Sequence, residues 1–338
     1  MNEDLQIIVP GGLNTDLIGL GVERLLGPGE LTLGGTFHVG PGGKARNMAQ
    51  MAAVWLGAGK VAMIGKTVRD PFGLWKVPLD ALHEAGVDIG SVQILDFEES
   101  GRKFPGIALI PVDASGKNQI YCIPGINSDF GPTDIRAAEV LFRSVRQPAY
   151  MMLALEIPEE TVREAIALAK VHGIRVVLDP GGIKDRRIGG EENRSLIGEE
   201  LSRLDGEEDN SLVGEGVFVI KPNEFEAEIL TGVAIDGFES AAKAAKILLS
   251  QGIEYVMITH GAKGAYLFGH TIARHIPVPE ISGGDIHDET GCGDQVTATL
   301  TACLTEGYSI EQAAEIAVRA GTLQFHRKGI RPVEYFIS

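Results

Sequence analysis

The stretch Asp288 to Leu300, DETGCGDQVTATL, places Asp294 directly after a glycine-rich turn, where a helix should begin. At such a start the backbone N–H groups of Gly291, Cys292, Gly293 and Asp294 have no intrahelical partner and lie at the positive end of the helix dipole. That arrangement suits an anion, and suits still better the charge that develops during phosphoryl transfer. A carboxylate in the same pocket would repel a bound phosphate unless it had work to do there. Taking the proton from an attacking hydroxyl is such work. The plainer reading is that Asp294 is a first-turn acid favoured by the dipole.

Two further stretches carry polar groups at the ends of expected strands. In VIKPNEFEAEILTG, Asn223 could cap a helix and Glu226 could favour its positive end. The same pair could instead face a phosphate and Mg²⁺, with Glu226 acting through metal-bound water, since Mg²⁺ keeps several waters and meets few carboxylates. In ITHGAKGAYLF the glycines permit close backbone approach to a ligand, or simply make a turn.

These residues need a scaffold, and the sequence supplies one. From about residue 150, strand-like and helix-like runs alternate: AYMMLALE, then PEETVREAIALAKVHG, then IRVVLDP. GVFVIKPN, FESAAKAAKILLSQG and EYVMITHG continue the pattern, and two helical runs, CGDQVTATLTACLTEG and SIEQAAEIAVRAGTLQF, close it. This spacing predicts right-handed crossovers and a parallel sheet covered on both faces. Ligands of such sheets sit beyond the carboxyl ends of the strands. Earlier in the chain, KARNMAQMAAVWLGAG reads as a helix and KVAMIGKTV as a strand. ELTLGGTFHVGPGG and GRKFPGIALIPVDASGKNQIYCIPG read as ribbons of a small sheet folded over the main one.

The bounds agree. The chain of 338 residues can hold one large core, and 44% hydrophobic with 22% charged residues is ordinary for a globular protein. A net charge of −16 disfavours nucleic acid. No apolar run is long enough for a membrane span, and the acidic opening MNEDLQIIVPGG is unlike a secretory leader. Cys122, Cys292 and Cys303 are scattered, which argues against a disulfide framework or a zinc site and for a cytoplasmic location. Asp185 to Glu215, with ten acidic and four basic residues, reads as an acidic insertion at the surface.

In combination these segments resemble the ribokinase-like (PfkB) carbohydrate kinases. DETGCGD is similar to the family's DTxGAGD signature, GGLNTD and GGKARN to its two N-terminal sugar motifs, KPNEFEAEILTG to its NxxE motif, and THGAKGA to its nucleotide loop. The order is right and nearly the whole chain is covered. GGLNTD, GGKARN, LALEIP and NQIYCIPGIN look nearest to the ribokinase branch.

The resemblance implies a three-layer α/β/α fold with a mostly parallel sheet, as one domain over residues 1–338. It also implies a β-sheet lid from about 13–40 and 96–125. Asn14, Thr15, Asp16, Gly42, Gly43, Lys44, Asn47 and Glu156 would hold the sugar, and Asp294 would be the base. The Gly291, Cys292 and Gly293 amides would form the anion hole. Asn223 and Glu226 would serve the phosphates and Mg²⁺, and Thr259, His260, Gly261, Ala262, Lys263 and Gly264 would line the ATP site together with Gly293. Asp288, Thr290, Gln324, Arg327, Gly329 and Val333 match positions around a K⁺ ion, several through backbone carbonyls.

The implied reaction is phosphorylation of a free sugar by ATP, D-ribose to ribose 5-phosphate, by a cytoplasmic enzyme whose exposed ribbons could pair in a homodimer. Two departures bear on this. Cys292 stands where the family has alanine, and Arg46 brings a bulky charge beside the sugar motif, where it could meet a phosphate or carboxylate on the substrate. A nucleoside or another sugar as substrate, and a non-catalytic sugar-binding protein on the same scaffold, remain open alternatives. A nicotinamide-dependent dehydrogenase is disfavoured, because no GxGxxG opens the first βα unit.

Overall fold

The computed structural model describes residues 4–183, 216–281 and 286–336. The acidic stretch 185–215 lies outside the described residues. Nine strands make the main sheet: β1 (Ile7–Pro10), β4 (Val61–Arg69), β5 (Asp88–Asp96), β8 (Tyr150–Ala154), β9 (Arg175–Asp179), β10 (Val217–Ile220), β11 (Tyr255–Thr259), β12 (Ala265–Gly269) and β13 (Ala273–Ile276). Their spatial order is β13-β12-β11-β10-β9-β8-β1-β4-β5. From β5 to β11 every pairing is parallel, and β12 and β13 join antiparallel at one edge.

The inner strands are apolar on both faces, as a sheet covered by helices requires. In β1, Ile7 and Val9 enter one core cluster and Ile8 enters the other. The first cluster packs under α1 (Lys44–Leu56), α2 (Lys76–Glu84), α8 (Cys292–Thr305) and α9 (Ile310–Phe325). The second packs under α3 (Pro132–Ala137), α4 (Glu139–Ser144), α5 (Glu159–Val171), α6 (Glu224–Thr231) and α7 (Phe238–Leu249). The three-layer α/β/α expectation therefore holds. Among the described residues no helix is long and apolar enough to cross a membrane.

Helix α8 departs from the usual amphipathic stripe. Every residue from Asp294 to Thr305 is buried. Its threonines cope by donating back along the helix: Thr297 to Gly293 O, Thr301 to Thr297 O and Thr305 to Thr301 O. A helix seated this deeply gives Asp294 at its start a fixed position.

A second sheet of four strands, in the order β3-β2-β6-β7, comprises β2 (Asn14–Val22), β3 (Thr36–Gly42), β6 (Gly106–Asp113) and β7 (Tyr121–Ile123). The chain enters it three residues after β1 ends, so Asn14 and Asp16 start close to the carboxyl end of the main sheet. Only Thr36–Gly42 of the ribbon expected from Glu30 onward is strand.

Candidate active site

Four strands deliver polar residues at or just past their carboxyl ends: Glu156 after β8, Asp179 at the end of β9, Lys221 and Asn223 after β10, and Thr259 at the end of β11. The starts of α1 and α8 face the same end and bring Lys44, Asn47 and Asp294. Asn47 Nδ2 donates to Asp294 Oδ2 at 2.7 Å, and Lys44 Nζ donates to Asp294 Oδ1 at 3.1 Å. The Lys44 amide donates to Glu156 Oε2 at 2.8 Å. Lys44 and Asn47 of GGKARN thus meet Asp294 of DETGCGD.

Gly291 begins α8 in the left-handed region, φ 73°, where a side chain would be strained, and an added Cβ would lie 2.8 Å from Ile330. No described residue accepts from the amides of Gly291, Gly293 or Asp294. The Cys292 amide does not belong with them. It donates to Glu289 O at 3.2 Å, so the turn itself uses that group. The Cys292 thiol leans away onto Asp288 O, and burial with the nearby acids Asp288 and Glu289 pushes its pKa up to about 12, which makes it a bystander.

Two residues that motif reading left without a role organise the centre. Asp179 is fully buried, 2.9 Å from Lys221 Nζ and 3.5 Å from Lys44 Nζ. Burial alone would raise its pKa, but the two ammonium groups outweigh it and hold the carboxyl well below its usual range. Burial would likewise lower Lys44, and Asp179 and Asp294 overcome it, so the ammonium stays charged. Lys221 also reaches Gly293 O at 3.3 Å, at the mouth of α8. The signal was present in LDP and KPN: a charged residue ending a buried strand needs a partner.

The remaining carboxylates lack such support. Burial raises Glu156 to about 7, only partly offset by the amide and charge of Lys44. Burial raises Asp16 to about 6, against the opposing charge of Arg46 and with added repulsion from Asp294. Both are acceptors awaiting donors. Gly42 has to be glycine here, since a Cβ would fall 1.9 Å from Asp16 Oδ1. Asn14 is held from behind by Asn127, whose Nδ2 donates to Asn14 Oδ1 at 2.8 Å. Thr15 points elsewhere, donating to Leu74 O at 2.7 Å, so it ties the strand down and offers the pocket no hydroxyl. Gly43 supplies the positive-φ residue that begins α1.

Arg46 is also not where its charge suggested. It is fully buried, bonded to Gln50, to Asn47 Oδ1 and to Pro41 O. The guanidinium therefore braces Asn47 and β3 from inside, and a substrate phosphate or carboxylate would not reach it.

Asn223 and Glu226 form a reciprocal cap on α6: Glu226 N donates to Asn223 Oδ1 at 2.8 Å, and Asn223 N to Glu226 Oε2 at 2.9 Å. The capping reading is thus realised, yet Glu226 also faces the centre. Its pKa is raised by burial and by Asp179, and lowered by Lys221 and Lys44. One carboxylate facing a phosphate site, with its other groups replaced by water, is a donor set that Mg²⁺ accepts. Thr259 pairs with Asn223 beside this cap, and the Gly261–Lys263 turn follows, with His260 N closing it on Gly264 O. Ala262 sits on the exposed face of that turn, and Lys263 Nζ is drawn to Asp236 O.

The positions expected around K⁺ divide. Asp288, Thr290, Gln324 and Gly329 close into one ring: Asp288 accepts from Thr290 N at 2.9 Å and from Gly329 N at 2.8 Å. Gln324 Nε2 donates to Thr290 O at 3.1 Å and to Gly329 O at 2.6 Å. Arg327 and Val333 bond differently: Arg327 N donates to Gln324 O at 2.9 Å and its guanidinium to Arg331 O and Pro332 O, while Val333 N donates to Gln295 Oε1. A cation would need the point between the two carbonyls, and an amide nitrogen is there. The arrangement does not fit the expected K⁺.

The sequence pattern described as pfkB family carbohydrate kinase matches residues 4–187 and 206–334, and the interval it omits falls inside the acidic stretch. The chain is 31% identical over 325 residues to a ribokinase of Haemophilus influenzae, covering 96% of this chain and 93% of the relative. It is 29% identical over 326 residues to a deoxyribokinase of Salmonella typhi, covering 96% and 94%. The structure of Arabidopsis thaliana ribokinase complexed with ribose and ATP shares the fold, with a TM-score of 0.77 at 23% identity and coverage of 98% and 96%.

Proposed function

We propose, from the premise that the chain belongs to the PfkB family of carbohydrate kinases, that it phosphorylates the primary hydroxyl of D-ribose to give ribose 5-phosphate. The chain is an ATP-dependent sugar kinase. The observation that carries the finer reading is Asp294, at the mouth of a buried helix, held by Asn47 and Lys44 beside amides without partners.

In the reaction, the sugar O–H proton passes to an Asp294 carboxylate oxygen as that hydroxyl oxygen attacks the γ-phosphorus. The bond from the γ-phosphorus to the β,γ-bridging oxygen breaks and ADP leaves. The Gly293 and Asp294 amides meet the developing negative charge, with Lys44 and Lys221 close by. Asn14, Asp16 and Glu156 take the other sugar hydroxyls. The turn from Thr259 to Gly264 receives the nucleotide. Mg²⁺ supplied with ATP neutralises phosphate charge, and Glu226 would meet it through water.

The four-stranded sheet acts as the lid, close to the approximate bounds 13–40 and 96–125 though β3 runs on to Gly42, in a single domain spanning 1–338, and shields the reaction from water. Its exposed apolar residues, among them Phe37, Val39, Tyr121 and Ile123, support pairing of two copies through this sheet. A cytoplasmic location accords with the unpaired cysteines.

Deoxyribose is the second reading, favoured by the deoxyribokinase of Salmonella typhi at nearly the same identity. Steady-state ADP release with a panel of free sugars and nucleosides tests the assignment. A nucleoside or a phosphorylated sugar as best substrate would overturn it.

A further inference from the structure

We infer that the Gln324 side-chain amide is a built-in substitute for a monovalent cation behind the anion hole, so that the turn before α8 keeps its shape without one. The inference rests on the kinase reading above and concerns how its anion hole is held.

The carbonyls of Thr290 and Gly329 converge on one point. Two partial negative charges turned toward each other where water reaches only part-way need a positive partner. Gln324, at the end of α9 and fully buried, supplies it with the two N–H groups of one nitrogen. The donor could not swing out to solvent, because the helix and its packing fix it. On the other side of the ring Asp288 takes the Thr290 and Gly329 amides. Thr290 and Gly329 thus each have both backbone groups satisfied by this chain's own side chains. Gln324 Oε1 is buried with no partner among the described residues. That cost is retained to keep the nitrogen toward the carbonyls, since the reversed amide would set three oxygens against one another.

The ring also touches the chemistry. A Cβ on Gly291 would lie 3.9 Å from Gln324 Nε2, and Gly291 is the residue whose left-handed turn presents the Gly293 and Asp294 amides. Gln324 is therefore a positioning residue. It sets the angle at which those amides meet the transferred phosphoryl group.

The test compares wild type with Gln324→Ala and Gln324→Glu, in KCl and in N-methylglucamine chloride at equal ionic strength. Two readouts are taken: ADP release with D-ribose, and thermal melting with neither sugar nor ATP present. Wild type should turn over within about twofold in the two salts, with the same melting temperature. In the variants the paired carbonyls lose their donor. Their kcat should fall roughly tenfold in the organic cation and be recovered largely by KCl, with melting raised by KCl alone. Severalfold activation of wild type by KCl, accompanied by a rise in its melting temperature, would overturn the inference. So would variants that lose activity and gain neither rate nor melting temperature from KCl. The wild-type comparison needs no variant to fold. The melting comparison needs no kinase activity, so it separates failure here from failure of the sugar-kinase reading.

Discussion

Lys44 Nζ stands 3.1 Å from Asp294 Oδ1 across a separation of 250 positions, and the same ammonium lies 3.5 Å from Asp179. With Asn47 on the other oxygen, the base of the proposed reaction is fully engaged before any substrate arrives. The sugar hydroxyl must take over one of these bonds. Lys44, with Asp179 as a second partner, can release Asp294 without losing its counter-charge and turn toward incoming phosphate.

Replacing Asp294 by Asn keeps the shape and removes the proton acceptor. We expect kcat to drop by at least ~10²-fold, the low end for loss of a general base, with ATP affinity retained. Turnover close to wild type in a folded variant would remove Asp294 from that role.

Asp179 is the electrostatic keystone between two lysines. In Asp179→Asn the Lys221 ammonium, only 2% exposed, loses its buried counter-charge, and Lys44 keeps only Asp294. Breaking a buried pair in this way costs about 3–5 kcal/mol. Urea denaturation of the sugar-free protein reads it directly, and a loss below about 1 kcal/mol would contradict the arrangement.

Glu156 gives a pH signature. Its folded pKa is raised from 4.5 to about 7, chiefly by burial, so the folded protein holds the proton more tightly than the unfolded chain. The stability linked to this group is fully present below 4.5 and is lost as pH rises through about 7. The full effect is at most on the order of 3 kcal/mol. Melting of the sugar-free protein should therefore decline with rising pH across this window. Glu156→Gln should flatten the decline, leaving the contributions of Asp16, whose pKa is raised to about 6, and of Glu226, also raised by burial. An unchanged slope in the variant would show that Glu156 is already ionised at low pH.

Asp16 bears on the choice between ribose and deoxyribose. A buried carboxylate deprived of a hydroxyl partner costs about 1–3 kcal/mol, which is a discrimination of roughly 5- to 150-fold. We expect kcat/KM for D-ribose to exceed that for 2-deoxyribose by such a factor. Asp16→Ala should impair ribose use far more than ATP binding. Equal use of the two sugars by wild type would transfer the assignment to the deoxyribokinase-like reading.

The sequence made the main architecture legible where periodicity was strong. Runs such as IRVVLDP, EYVMITHG and FESAAKAAKILLSQG became β9, β11 and α7. Less patterned segments escaped. Asp88–Asp96 carries polar and glycine positions because it is an edge strand, and Lys76–Glu84 is a short helix with a proline in its first turn. At the site, motif residues whose types match chemistry were visible: Asn47, Lys44, Glu156 and Asp294 meet in space. What could not be read was how a side chain is spent. Thr15 and Arg46 carry the right polarity, but Thr15 donates to backbone and the Arg46 guanidinium is turned inward onto Pro41 O, Gln50 and Asn47. Asp179 and Lys221 were hidden for the opposite reason, since their partners come from elements distant in sequence.

The central claim is phosphoryl transfer from ATP to a free sugar. Its most direct measurement is ADP release by the purified protein with Mg²⁺-ATP and D-ribose, together with ³¹P NMR of the product. The account predicts sugar-dependent ADP release and a new phosphomonoester on the primary carbon, ribose 5-phosphate. ADP release no faster with D-ribose, 2-deoxyribose or fructose than with no sugar, from a folded protein, would contradict it.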